Sequence, residues 1–185
     1  MAKKKEIKEK EIPLQTALQG NVVIKKVKGS KVIGKQVIHN EATIYLLYGM
    51  MISLSGKPDL DKLPNYLAVG TGQTTGSIIG NSKLEAEITG SRVPLTPNYR
   101  GNPEKDLTKG ICSTVYQGLI TYNKITTFKV KELGIYGTYT GNSLLARVQL
   151  TSPIELDIGQ SLVVEWSFSI KNVTSSTTAT NTATV

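Results

Sequence analysis

The sequence predicts a mainly β protein: an antiparallel β-sandwich, jelly-roll-like or Ig-like, with one buried α-helix near residues 41–54. Three observations carry that prediction. Leu162, Val164, Trp166, Phe168 and Ile170 alternate with Val163, Glu165, Ser167 and Ser169, the period of two that marks a strand with one face in a core. Short β-branched runs recur along the chain between Gly, Pro and Asn turns, the spacing of a sandwich. A single stretch, Ile44–Leu54, is apolar at helical spacing and carries no charge.

Taken in order, residues 22–27 and 32–38 are β-branched runs separated by Lys28-Gly29-Ser30-Lys31. A Gly-Ser pair there reads as a tight hairpin turn. Asn40 offers a helix N-cap, with Glu41 in the first turn and Gly56 as the stop. Ile44, Leu47, Tyr48, Met51 and Leu54 then share one helical stripe, while Tyr45, Leu46, Met50 and Ile52 point elsewhere. A helix apolar on most sides needs cover on most sides. It is either the plug of the domain or is completed by a neighbouring subunit, and the second reading is preferred.

From Tyr66 onward the pattern is β. Residues 66–69 form a short strand running into Gly70-Thr71-Gly72, a turn expected to need positive φ angles. Residues 111–122 are rich in β-branched and aromatic types, and Leu144, Ala146, Val148 and Leu150 alternate with Leu145, Arg147 and Gln149. Residues 126–135 are irregular. Phe128 and Val130 share a parity that would take Glu132 inward with them. Either a β-bulge corrects the register before Leu133, or Glu132 is a buried carboxylate paired with Arg147 or Arg92.

The 185 residues suit one domain with its own core. Expected boundaries are a basic N-terminal arm at 1–18, the sandwich at 19–171, and a Ser/Thr-rich C-terminal arm at 172–185. A single cysteine, Cys112, excludes an internal disulfide framework, and its place in a strand suggests a small buried hydrophobe. No apolar run reaches the ~18–20 residues of a membrane span, and the N-terminus lacks the hydrophobic stretch of a signal peptide. Of the net charge of +8, residues 1–35 supply ten lysines against three glutamates. The body is nearly neutral, and the basic segment has no Arg and no aromatic residue. That argues for a solvated tail or a tether to an acidic partner surface rather than nucleic-acid binding.

No constellation for catalysis, metal or cofactor emerges. His39, the only histidine, stands beside no nucleophile or acid. Asp59 and Asp61 read as a solvated turn. Glu85 and Glu87 would share a strand face, but a glycosidase needs an aromatic cleft as well, and the chain has one Trp and two Phe. The run 67–76 fails the phosphate-loop pattern, because no Lys-Ser/Thr follows its last glycine.

The order of these motifs resembles that of small structural proteins of tailed phages: capsid-decoration, head-fibre, and tail or collar components. The likeness spans residues 19–171. It rests on His39-Asn40, Val69-Gly70-Thr71-Gly72, Leu84-Glu85-Ala86-Glu87, Arg92, Glu132-Leu133-Gly134-Ile135-Tyr136, Leu144-Leu145-Ala146-Arg147 and Glu165-Trp166-Ser167-Phe168. It implies a non-enzymatic virion component without cofactor, assembled in the bacterial cytoplasm. Its partners would be further copies of itself, as a trimer for example, and major capsid or tail proteins. The same likeness leaves head, collar, tail or baseplate open. A carbohydrate-binding module for host attachment is the alternative, with Tyr99, Tyr116, Tyr122, Tyr136 and Tyr139 as available stacking surfaces.

Overall fold

The computed structural model describes residues 18–57, 59–73, 81–96, 104–108, 111–125 and 129–171. Both expected arms, apart from Leu18, lie outside the described residues, as do Tyr99 and Phe128. The fold is mainly β, with two five-stranded antiparallel sheets. Sheet A contains β1 (Leu18–Lys28), β2 (Lys31–His39), β6 (Glu104–Asp106), β7 (Ile111–Thr121) and β10 (Gln160–Lys171), ordered β2-β1-β10-β7-β6. Sheet B contains β3 (Glu41–Ala42), β4 (Tyr66–Gly70), β5 (Val93–Pro94), β8 (Val130–Tyr136) and β9 (Leu144–Ile154), ordered β3-β9-β8-β4-β5. Helix α1 is Ile44–Leu54, and a one-turn helix α2 spans Tyr122–Ile125.

Local chemistry explains the elements. The β1–β2 hairpin closes through Gly29-Ser30, with Gly29 at φ 58°, a conformation glycine adopts without a Cβ clash. The alternation in β10 turns Leu162, Val164, Trp166 and Phe168 into the core, where Val22 and Ile24 of β1 and Ile120 of β7 join them. Sheet B meets them with Leu67, Val69, Leu133, Ile135, Val148 and Leu150. One hydrophobic cluster therefore draws on both sheets. Each such side chain contributes about 1.5–3 kcal/mol on leaving water.

The chain crosses from one sheet to the other at Asn40. Gly20 makes that possible, since any Cβ there would strike the Asn40 side chain, and the Asn40 N–H donates to Gly20 O at 3.1 Å. The expected helix start needs correction here. Glu41 and Ala42 are not helical: they pair with Arg147 and Ala146 as the edge of sheet B. The cap position belongs to Thr43, whose hydroxyl is engaged by Leu144 O at 2.7 Å and caps no helical N–H.

The helix itself is also not buried among the described residues. Only Leu46 and Gly49 are, with Tyr45 and Met50 packed partly against the core. Gly49 admits the backbone of the turn Leu60–Lys62, which a side chain would displace.

Two register shifts shape β8, one between Val130 and Glu132 and one between Ile135 and Tyr136. Across the second, Ile135 faces Ala146 while Tyr136 faces Leu144, leaving Leu145 as the extra residue of a bulge. Leu145 stays in the main core, whereas Tyr136 and Leu144 form a separate small cluster with Ala68 and Leu84. Sheet B is thus covered on both faces around β8. The simple alternation expected for 144–150 gives way to an unbroken buried run from Leu144 to Val148.

Candidate functional site

Two places break the usual distribution of polar and apolar groups: a buried charged knot on sheet B and a bare apolar face on α1.

The knot begins with glycine. Gly70 ends β4 opposite Glu132 of β8. The expectation of a turn requiring positive φ at Gly70 and Gly72 is corrected, because the positive-φ glycines among the described residues are Gly29, Gly56, Gly90, Gly141 and Gly159. A Cβ at Gly70 or Gly72 would instead collide with Glu132 Oε1 and with the backbone at Ala86. These glycines leave room for a carboxylate.

Glu132 is wholly buried. Its Oε1 accepts from the N–H groups of Gly72 (3.1 Å) and Ala86 (2.9 Å). Oε2 accepts from the Glu85 N–H at 3.3 Å and faces Arg147 Nη2 at 2.8 Å. Arg147, 3 % exposed, also donates from Nη2 to Gln149 Oε1 at 3.1 Å. Gln149 in turn donates to Gly72 O and Lys131 O. Of the two arginines weighed from the sequence, the structure brings Arg147 to Glu132. A buried ion pair persists only with further hydrogen bonds of this kind, since desolvating each ion costs several kcal/mol.

Arg92 clamps the other end of the same segment. Its Nε and Nη2 donate to the two oxygens of Glu87 at 2.7 and 2.9 Å, and Nη1 donates to Thr138 O at 3.0 Å. The guanidinium lies over the Tyr136 ring, 3.7 Å from its centroid. Burial works to lower the Arg92 pKa, but the Glu87 carboxylate outweighs it and the net direction is upward. Tyr136 accepts from the Leu84 N–H at 2.8 Å. Burial holds its hydroxyl proton far more tightly than usual, so its pKa is raised. Sequence reasoning missed the Glu87–Arg92 clamp. The available signal was the separation of the two across Gly90, which has φ 75° and folds the segment back on itself.

The apolar face is simpler. Ile44 is 48 % exposed, Tyr48 55 %, Met51 65 % and Leu54 81 %, while Leu47 is half-buried. This is the stripe read from the sequence, and the described residues leave most of it exposed. Helix α1 has no acidic residue in its first turn and no basic residue in its last.

The residues weighed for chemistry are dispersed. His39 is exposed at the end of β2. Cys112 is exposed rather than buried, near the start of β7, where it pairs with Lys105 of β6 and Ile170 of β10. Asp59 accepts from the Asp61 N–H at 3.0 Å and simply caps a turn. Glu87 serves Arg92, and Glu85 lies on the knot's rim. Among the described residues no group of three or more His, Cys, Asp or Glu could hold a metal ion. Of the tyrosines weighed for sugar stacking, Tyr136 is inaccessible and corrects that expectation. Tyr116 is half-buried against Phe168, and burial raises its pKa. Tyr139 is 54 % exposed, edge-on to Tyr66. No protein-family model matches the sequence, and no curated protein does at a significant level.

Proposed function

We propose that this chain is a non-enzymatic structural protein of a tailed-phage particle. It is a β-sandwich of jelly-roll or Ig type that acts as a decoration or head-fibre component of the capsid exterior. The observation that carries the reading is the exposed stripe Ile44, Tyr48, Met51 and Leu54, contiguous, apolar and uncharged. Single exposed apolar side chains are ordinary, whereas a contiguous set marks a contact surface. The occupant is a second copy of the chain. A stripe without charge meets its own image without like-charge repulsion, which is what a self-complementary contact requires.

The motifs behind the phage resemblance add support by where they fall. Val69–Gly72, Leu84–Glu87, Glu132 and Arg147 converge in the buried knot, with Arg92 and Tyr136 at its side. His39-Asn40 makes the crossing between sheets. Motifs placed in this way hold a scaffold, which supports a reading in which contact surfaces are the output. Assembly on the particle would bring in the major capsid or tail proteins as further partners.

The test is sedimentation velocity at micromolar concentration on the full chain and on a Met51→Glu/Leu54→Glu variant. The parent should sediment as a closed oligomer, and the variant as a folded monomer that no longer joins particles. A parent that is monomeric at every concentration, or a variant that assembles normally, overturns the reading.

A further inference from the structure

Strand β2 is an edge of sheet A and belongs to a basic hairpin. Between Leu18 and Asn40 stand five lysines and no acid, arginine or aromatic residue. Lys25 is paired with Glu165 at 2.7 Å. Lys26, Lys28, Lys31 and Lys35 form no salt bridge among the described residues. Val37, two residues beyond Lys35 on the same face, is 60 % exposed.

The backbone of this edge is open as well. Facing residues of an antiparallel pair alternate between bonded and unbonded. The Asn40 N–H bonds Gly20 O, so the register of β1 and β2 makes Ile38, Gln36 and Gly34 the bonded residues. The N–H and C=O groups of Lys35, Val37 and His39 therefore point away from β1. A register shift between Lys26 and Val27 takes Ile33 out of the ladder, which leaves residues 34–39 as the usable edge. Gln36 braces it from within, donating to Ser152 O at 3.1 Å. Beside that bond a cleft of about 300 Å³ opens between β2 and β9, with Lys26 on one wall and Ser152 and Pro153 on the other. Glu155 also lines the cleft, but Lys129 holds its carboxylate at 2.8 Å.

We propose that this edge takes an extended, acidic segment of a partner protein as an added strand of sheet A. Main-chain hydrogen bonds to Lys35, Val37 and His39 hold the segment. Its alternate side chains meet Lys35 on the outer face and Lys26 in the cleft. Charge selects the partner. A second copy would set one lysine-rich hairpin against another, which is repulsive, whereas carboxylates complement it. Nucleic acid is the poorer match, because the hairpin offers no arginine and no aromatic ring to its bases. A lipid surface brings no strand to bond the free N–H and C=O groups. The proposal does not rest on the virion reading and uses a different surface from α1.

The experiment is fluorescence anisotropy of a fluorescein-labelled peptide of alternating Glu and Thr, titrated with the full chain. The parent should bind it saturably, with a Kd below about 1 mM. Lys26→Gln/Lys35→Gln should weaken binding at least about tenfold. Val37→Pro removes an outward N–H where an edge strand tolerates proline, and should weaken binding at least about fivefold. Near-UV circular dichroism confirms the fold of each variant. One measurement needs no variant: the same peptide N-methylated at every residue, with no N–H to donate, should bind the parent at least about fivefold more weakly. Met51→Glu/Leu54→Glu should bind the peptide as the parent does, which separates this edge from the α1 contact. No saturable binding by the parent overturns the proposal, as does undiminished binding by the lysine variant or of the N-methylated peptide. Tighter binding of single-stranded DNA or of phosphatidylglycerol vesicles, lost in the lysine variant, overturns it too by giving the edge to another partner.

Discussion

The outer face of sheet B and the outer face of α1 invert each other. At Glu132 the chain takes a carboxylate out of water and surrounds it with three N–H donors and the Arg147 guanidinium, whose buried Nε is left without a hydrogen-bond partner among the described residues. On α1 it leaves Tyr48, Met51 and Leu54 exposed, with no cover among the described residues. The first arrangement is closed and stabilises the domain by itself. The second is open, and its cost is recovered only when apolar area is removed from solvent, at about 25 cal/mol per Å². Burial alone thus separates a scaffold device from a contact surface. Charge, read without burial, would assign them the other way round.

The sharpest way to break this contrast is at the carboxylate. Glu132→Ala leaves the buried Arg147 with only a long 3.9 Å ionic contact to the half-exposed Glu85 and strips three N–H groups of their acceptor. A loss of about 3–5 kcal/mol is expected in urea unfolding. Gly72→Ala attacks the same point from the other side by pushing on Glu132 Oε1. Overpacking of that kind should cost about 1–3 kcal/mol. If Glu132→Ala loses under 1 kcal/mol, the knot is not closed as described.

Next in size is Tyr136, which tests whether the clamp is one unit with the knot. Tyr136→Phe keeps the ring under Arg92 but leaves the Leu84 N–H without its acceptor, at an expected cost of about 1–3 kcal/mol. The pH dependence has a definite sign. Burial raises the folded pKa of Tyr136 above its unfolded value, which is about 10. The stability this represents is complete below about pH 10 and is lost as pH rises from there toward the folded pKa. Alkaline unfolding should therefore steepen above about pH 10 in the parent and flatten in Tyr136→Phe. Tyr116, whose pKa is raised by burial in the same direction, sets the slope that remains. Identical alkaline limbs in both proteins would detach Tyr136 from the clamp.

The sequence reports some of this and conceals the rest for physical reasons. β10 is legible because one side of it faces the core and the other does not, so period two survives in Leu162–Phe168. β9 is not, because cover on both faces of sheet B erases alternation from Leu144 to Val148. The Glu132 anomaly is visible as an ion at a core parity. Both offered remedies coexist: a register shift follows Val130, and the carboxylate is paired. Gly70 and Gly72 mislead because a glycine required by a neighbour's approach looks the same in sequence as one required by φ. Asn40 misleads in a similar way. It has the chemistry of a cap but sits at the sheet crossing, and tertiary pairing of Glu41-Ala42 with β9 overrides the local signal. The spacing of the α1 stripe is legible, because helical periodicity follows local sequence, but the start of the helix and its burial are not, since both depend on what packs around it.

The smallest expected effect is the most discriminating. Met51→Glu/Leu54→Glu puts two charges where the chain has only solvent, so the unfolding free energy of the dilute monomer should change by less than about 0.5 kcal/mol. Read beside the loss of assembly expected for the same variant, near-neutral stability assigns the face to contact between copies. A loss of several kcal/mol in the dilute protein would mean the reverse: the stripe is internal packing that the described residues leave uncovered. The contrast between a closed knot and an open helix would then collapse into two versions of one core.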